Sequence, residues 1–306
     1  MFNNGHPSIY TIIVSYNGER WIRRCLLQLL QSSLPVHTIV IDNASHDNTV
    51  DIIRNEFPNI ELLKNTENKG FGAANNIAIQ VALQHNADYI FLLNQDAYIE
   101  KDTLGQMVKL FQTNTAYGII SPVQLNGEGT ALDASFKKYL ARVLSNDLVK
   151  IEQKKHADKN IVPVRFVNAA AWLIPSAVIK KVGLFHPLFF HYGEDNNYSS
   201  RVQYHGYQVG IALNAYVLHD RTADTHKQKD LLRKINTIIR YTATDPRKGF
   251  TAAYIQAWYK YFGLWNKARN DLSYYKNALE NERNFLLNMQ KLKAIRKQMK
   301  QPSDVR

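Results

Sequence analysis

Cysteine is almost absent from this chain. A single residue, Cys25, among 306 excludes an intramolecular disulfide and a zinc site built from several thiolates, and it fits a reducing compartment. No run of 18 or more apolar residues occurs, which argues against a transmembrane helix. The opening MFNNGHPSIY carries neither the basic region nor the apolar stretch of a secretion signal, so a cytoplasmic protein is expected. Internal repeats are lacking as well.

Acidic residues are scarce at one end only. The net charge is +12, and a charge of that size points to an anionic partner. Residues 1–225 balance 20 Lys+Arg against 20 Asp+Glu, whereas residues 226–306 hold 18 against 6. The whole excess therefore lies in the last 81 residues. This reads as a neutral body, 1–225, followed by a basic extension, 226–306, and it argues against a surface that wraps nucleic acid throughout.

With 45% apolar residues the body can build a sizeable core. YTIIVSY (10–16), HTIVID (37–42), IELLK (60–64) and DYIFLLN (88–94) read as strands. Helical periodicity separates them: Trp21, Ile22, Cys25, Leu26, Leu29 and Leu30 share one face, a short helix spans about 47–56, and Gly70 opens another to about Gln84. Such alternation predicts an α/β fold with a mostly parallel sheet covered by helices on both faces. Ligands of these sheets bind beyond the carboxyl ends of the strands, where polar residues cluster here: Tyr16-Asn17, Asp42-Asn43 and Asn94-Gln95-Asp96. The stretch 125–160 reads as loop. VRFVNAAAWLI (164–174) reads as one strand, 176–182 as a short helix, and YQVGIAL and AYVLH as two short strands ending near His219. From about 226 the pattern is helical.

Several motifs carry candidate chemistry. Asp42 can accept hydrogen bonds from a base or ribose, or equally cap its own backbone. NKGFGAANN (68–76) places amides where a phosphate can bind, or is a simple glycine turn. Asp96 offers a hard oxygen to a divalent cation but needs other ligands. Glu194 and Asp195 are adjacent carboxylates whose repulsion holds one as a base; helix capping is the local alternative.

The order VSYN (14–17), IDNASHDN (41–48), NKGFGAANN (68–76), LLNQDA (92–97), GLFHPLFFHYGEDNN (183–197) and VLH (217–219) resembles family-2 glycosyltransferases, and within them bacterial rhamnosyltransferases of polysaccharide synthesis. The resemblance covers roughly 8–221. It implies a GT-A fold, a Rossmann-like mixed sheet, and an inverting transfer from a UDP- or dTDP-linked sugar to a glycan or lipid-linked glycan. It implies that Val14, Tyr16 and Asp42 hold base and ribose, that Asn68, Lys69 and Gly70 lie near ribose and diphosphate, and that Asn168 and Trp172 line the sugar pocket. Asp96 and His219 would hold Mg²⁺ or Mn²⁺, with Asn94 where the first acid of D-x-D usually stands, and Asp195 would be the base beside Glu194.

Three positions depart from the family pattern. EDNN has Asn197 for a later acid, Ala169-Ala170 replaces a Gly-Ala pair, and Asn94 weakens metal binding from its side.

In the extension, Phe250, Tyr254, Trp258, Tyr261, Phe262 and Trp265 recur at near-helical spacing among lysines. They suit a peripheral membrane contact at the inner face of the cell membrane, or packing on the body or a second subunit as a homo-oligomer. A nucleotidyltransferase would need a Gly-rich basic loop that VSYNGERW lacks. The alternative to an enzyme is a binding protein that uses the basic extension to hold nucleic acid or membrane.

Overall fold

The computed structural model describes residues 6–141, 143, 151, 154, 160–221 and 227–301. Up to Asn94 the chain follows the predicted alternation: β1 (Ile9–Ser15), α1 (Ile22–Leu30), β2 (His37–Asp42), α2 (Thr49–Glu56), β3 (Glu61–Lys64), α3 (Phe71–Gln84) and β4 (Tyr89–Asn94). β1 shows why these runs are continuously apolar. Ile9 and Ile13 enter the core on one side of the sheet, Tyr10 and Ile12 the core on the other, as the two-residue period of a strand requires when both faces are covered. Helix α1 buries Ile22, Cys25, Leu26 and Leu29. Cys25 is thus a core residue, and burial pushes its thiol far up, away from the reactive thiolate form.

Next come β5 (Ala97–Ile99), α4 (Thr103–Thr113), β6 (Tyr117–Asn126), α5 (Ala134–Leu140), β7 (Ile161–Val164), β8 (Ala171–Pro175), α6 (Ser176–Val182), α7 (Glu194–Tyr204) and β9 (Gln208–His219). The strands form one sheet ordered β3-β2-β1-β4-β8-β6-β9-β5, with β7 added to β9. β3, β2, β1 and β4 are parallel, while β8 runs antiparallel between β4 and β6.

Three expectations are corrected here. The run 164–174 is two strands, β7 and β8, that pair with different neighbours; residues 165–170 cross between them. YQVGIAL and AYVLH are one strand, β9, continuous through a register shift against β6 next to Pro122. Proline cannot donate to a ladder, and a bulge is where a strand tolerates it. The supposed loop 125–160 contains α5, whose N-cap Asp133 accepts from the Ser135 and Phe136 amides.

The extension is helical: α8 (Lys227–Thr244), α9 (Phe250–Ala268), a 3₁₀ turn (Arg269–Asp271), α10 (Leu272–Leu287) and α11 (Met289–Gln298). It has its own apolar core, which includes Ile235, Ile239, Leu264, Leu286 and Met299 and takes in Phe189 from the body. Among the described residues no helix is long and apolar enough to cross a membrane. The split at 225 falls among residues 222–226, which lie outside the described residues.

Candidate active site

β1, β2 and β4 end side by side, with Ser15 paired to Asp42 and Val14 to Asn94. Asp42 is buried at this edge. Its Oδ1 accepts from the Ser15 and Ser45 hydroxyls at 2.9 and 2.5 Å, and its Oδ2 from the Ser45 amide at 2.9 Å. The carboxylate is therefore anchored by its own neighbourhood. Val14 is half-buried against the larger core, and Tyr16 is exposed.

Two residues inside the motifs that were given no role there prove central to this edge. Gln95 clamps the Tyr16 backbone, accepting from its N–H at 3.0 Å and donating to its C=O at 3.1 Å. Asn43, buried after β2, donates to Asn68 Oδ1 at 2.9 Å and accepts from the Lys69 amide at 3.0 Å. Their signal in the sequence was their place directly beside Asp96 and Asp42. Asn68 Oδ1 also caps the Gly70 amide. Gly70 has φ +80, and a Cβ there would stand 2.0 Å from the Phe190 carbonyl oxygen, so only glycine lets the segment before α7 approach α3. The ammonium of Lys69 lies 3.3 Å from Glu67.

The candidate base sits at the first turn of α7, which Gly193 caps in the left-handed conformation (φ 90). Asp195 accepts from the Asn196 amide at 2.7 Å and from its side chain at 3.1 Å. Burial raises its pKa, while the N–H groups of Asn196 and Ala169 facing it act the other way. Glu194 has the smaller solvent exposure of the two. Burial and then the Asp195 charge push its pKa up to about 8, and its Oε2 has no partner among the described residues. Burial thus holds both carboxyls of the pair above their ordinary range, and the charge of one opposes ionisation of the other.

Asn94 donates its backbone N–H to Ala170 at 2.9 Å, so the loop 165–170 lies against both β4 and Asp195. Asn168 Oδ1 is buried without a partner. Trp172 does not line an open pocket: it is 0% exposed, and its ring packs 6.2 Å from that of Tyr198. Position 172 faces the core because β8 pairs it with Leu92. Asn197, in place of an acid, is buried with its amide 3.1 Å from Met299 Sδ. A carboxylate there would be desolvated among apolar atoms of the extension.

At the far end of the edge, β5 sets Ala97 opposite His219 on β9. Asp96 Oδ1 is 3.4 Å from His219 Nε2. Arg221 Nε donates to His219 Nδ1 at 3.2 Å, so the proton of the neutral ring sits on Nε2, toward Asp96. Among the described residues no cluster of three acidic, histidine or cysteine ligands exists. The pair would fit one divalent cation once Arg221 turned away and the His219 proton moved to Nδ1. A carboxylate and an imidazole are accepted ligands, and adjacent ligands of a six-coordinate ion with bonds of about 2.1 Å stand roughly 3 Å apart.

A family model for glycosyl transferase family 2 matches residues 10–180, more than half of the chain. The glycosyltransferase SunS of a Bacillus subtilis prophage is 30% identical over 104 residues, 34% of this chain. That match covers only 24% of SunS. The N-acetylglucosaminyl-diphospho-decaprenol L-rhamnosyltransferase of Mycobacterium tuberculosis is 22% identical over 234 residues, 70% of this chain and 76% of the relative. In fold, the mannosyltransferase PcManGT of Pyrobaculum calidifontis, solved with GDP-Man and Mn²⁺, superposes with a TM-score of 0.60 at 17% identity, over 96% of this chain and 87% of that one. With the matched segment running through the edge where Asp42, Asn43 and Asp96 are gathered, the chain belongs to glycosyl transferase family 2 and has the GT-A fold.

Proposed function

We propose that the chain is an inverting glycosyltransferase that moves a sugar from a UDP- or dTDP-linked donor to a glycan or lipid-linked glycan acceptor. The observation that carries this is that the Ala169 amide faces Asp195 while Ala170 accepts from Asn94 at the end of β4, two residues before Asp96 of the Asp96–His219 pair. Asp195 accepts the proton of the acceptor hydroxyl as its oxygen forms the new bond to the anomeric carbon. The bond from that carbon to the diphosphate breaks, and the nucleoside diphosphate leaves with the electron pair. A divalent cation held by Asp96 and His219 would offset the charge that develops on the leaving group. The M. tuberculosis relative, named for a diphospho-decaprenol acceptor, supports a lipid-linked acceptor and a role in surface polysaccharide synthesis. A thermal-shift screen of nucleoside diphosphates and sugar nucleotides with Mn²⁺ tests the reading, because a ligand of the native state raises the melting point. UDP or dTDP compounds are expected to raise it, and no shift with any nucleotide rejects the reading.

Docking at an anionic membrane surface goes with this function. The outer face of α9 carries Ile255, Tyr259 and Phe262, 61%, 75% and 59% exposed, with Lys260 and Lys267 exposed on the adjoining row. An apolar stripe bordered by lysines, on an extension that holds all of the positive excess, is complementary to anionic lipid.

A further inference from the structure

A cavity of about 320 Å³ opens where the body meets the extension, one residue from the candidate base. Its walls include Arg165 from the loop after β7, Asn196 at the start of α7, Tyr241 of α8, and Arg247 and Lys248 of the turn that joins α8 to α9. Tyr241 is close enough to Asp195 that, after burial, the carboxylate is the next cause that raises its hydroxyl pKa. The cavity and the base therefore share a wall.

The charges around this space do not cancel. Among the described residues Asp245 is the only acid that lines it, against Arg165, Arg247 and Lys248. Arg247 grips Asp245 with two bonds of 2.8 Å, and Lys248 Nζ stands 3.9 Å from the same carboxylate. Arg165 has no ion-pair partner among the described residues and is exposed. The lining is thus left with two uncompensated positive charges beside Asp195.

The cationic turn is also held in place before any ligand arrives. Arg296 of α11 is buried, and its guanidinium donates to the carbonyls of Ala243 at 2.7 Å, Asp245 at 3.1 Å and Lys248 at 2.6 Å. The Arg247 guanidinium, fixed further by Gln203 of α7, is oriented rather than floppy. Pre-oriented guanidinium and ammonium groups are the usual recognition chemistry for phosphate, and preorganisation removes much of the ordering cost of binding.

We propose that this cavity seats a phosphate or diphosphate group of the sugar acceptor, with Arg165, Arg247 and Lys248 as its cationic contacts. The acceptor hydroxyl must reach Asp195, so an anionic group a sugar's length away falls into the neighbouring cavity. This rests on the glycosyl-transfer reading and adds to it a chemical class of acceptor. It also gives the extension a part in acceptor choice, since Arg247 and Lys248 belong to it.

The test uses the full chain, with UDP or dTDP and Mn²⁺ at saturation so that the donor site is filled. Calorimetry then measures binding of two probes, inorganic pyrophosphate and geranyl diphosphate, to the wild type, to Arg165→Glu/Lys248→Glu and to Arg165→Ala. The wild type is expected to bind at least one probe, the double variant at least tenfold more weakly, and Arg165→Ala in between, with nucleotide binding within about twofold throughout. Geranyl diphosphate much tighter than pyrophosphate identifies a lipid-linked group, and equal binding a glycan-borne or free phosphate; both support the proposal. Wild type that binds nucleotide but neither probe overturns it, as does equal probe binding by the double variant. Wild type that binds no nucleotide overturns the glycosyltransferase reading instead.

Discussion

Residue by residue, the site works through groups whose environments differ more than their chemistry does. Glu194 and Asp195 are neighbours and burial raises both, but only at Glu194 does the charge of the other acid add to it, taking the pKa to about 8, whereas backbone N–H groups oppose the rise at Asp195. Replacing Asp195 by Asn should lower kcat by about 10² to 10⁴ with an unchanged circular dichroism spectrum. Near-normal transfer by the variant would remove Asp195 from the proposed mechanism. Glu194 makes a separate prediction about stability. Its folded pKa lies above its ordinary 4.5, so between those values the native state binds more protons than the unfolded one. Stability contributed by the neutral carboxyl is present at low pH and is lost as pH rises through that window. The melting point of Glu194→Gln should therefore rise relative to wild type from pH 5 to pH 8, whereas a constant difference would refute the assignment. Gly70→Ala should destabilise the chain by about 1–3 kcal/mol in urea unfolding, because its Cβ meets the Phe190 carbonyl at a positive φ.

Elements decide which of these residues meet. The motifs placed Asp42, Asp96 and His219 at strand ends, and the apolar runs made the parallel β1–β4 unit legible. They did not show that 165–170 leaves the sheet, because a local run of apolar residues reads alike as one strand or as two. The bonds that divide it, from Asn94 to Ala170 and from Ala169 toward Asp195, are long-range. The resemblance placed Trp172 at the sugar pocket, whereas its inward direction depends on its pairing with Leu92. In the extension, Glu282 is fully buried against Arg240, 2.8 Å away. Burial outweighs the Arg240 charge and raises the Glu282 pKa to about 7. Arg240→Ala would leave this carboxyl without its partner and protonated at neutral pH, and should cost about 1–3 kcal/mol as read by chemical unfolding.

At the scale of the molecule, the charge imbalance turns into a division of labour. The neutral body carries the proposed catalytic edge, and the basic extension closes the cavity beside the base and presents the stripe of α9. Flotation with liposomes that contain anionic lipid should recover the wild type, and Tyr259→Ser/Phe262→Ser should lose most of that recovery while keeping its melting point. Equal flotation of the two would leave the stripe without a role at membranes. The sequence alone determined that an alternating α/β body precedes a basic helical extension, because periodicity and charge are local properties of the chain. It also determined the candidate acids, because each follows directly on an apolar strand or opens a helix. Only the tertiary structure decided that Asp96 and His219, 123 positions apart, stand 3.4 Å from each other, and that Trp172 is core. It alone brought Arg165 round to Arg247 and Lys248, since that meeting depends on how β7, α7 and α8 pack, and packing is settled by contacts between segments far apart in the chain.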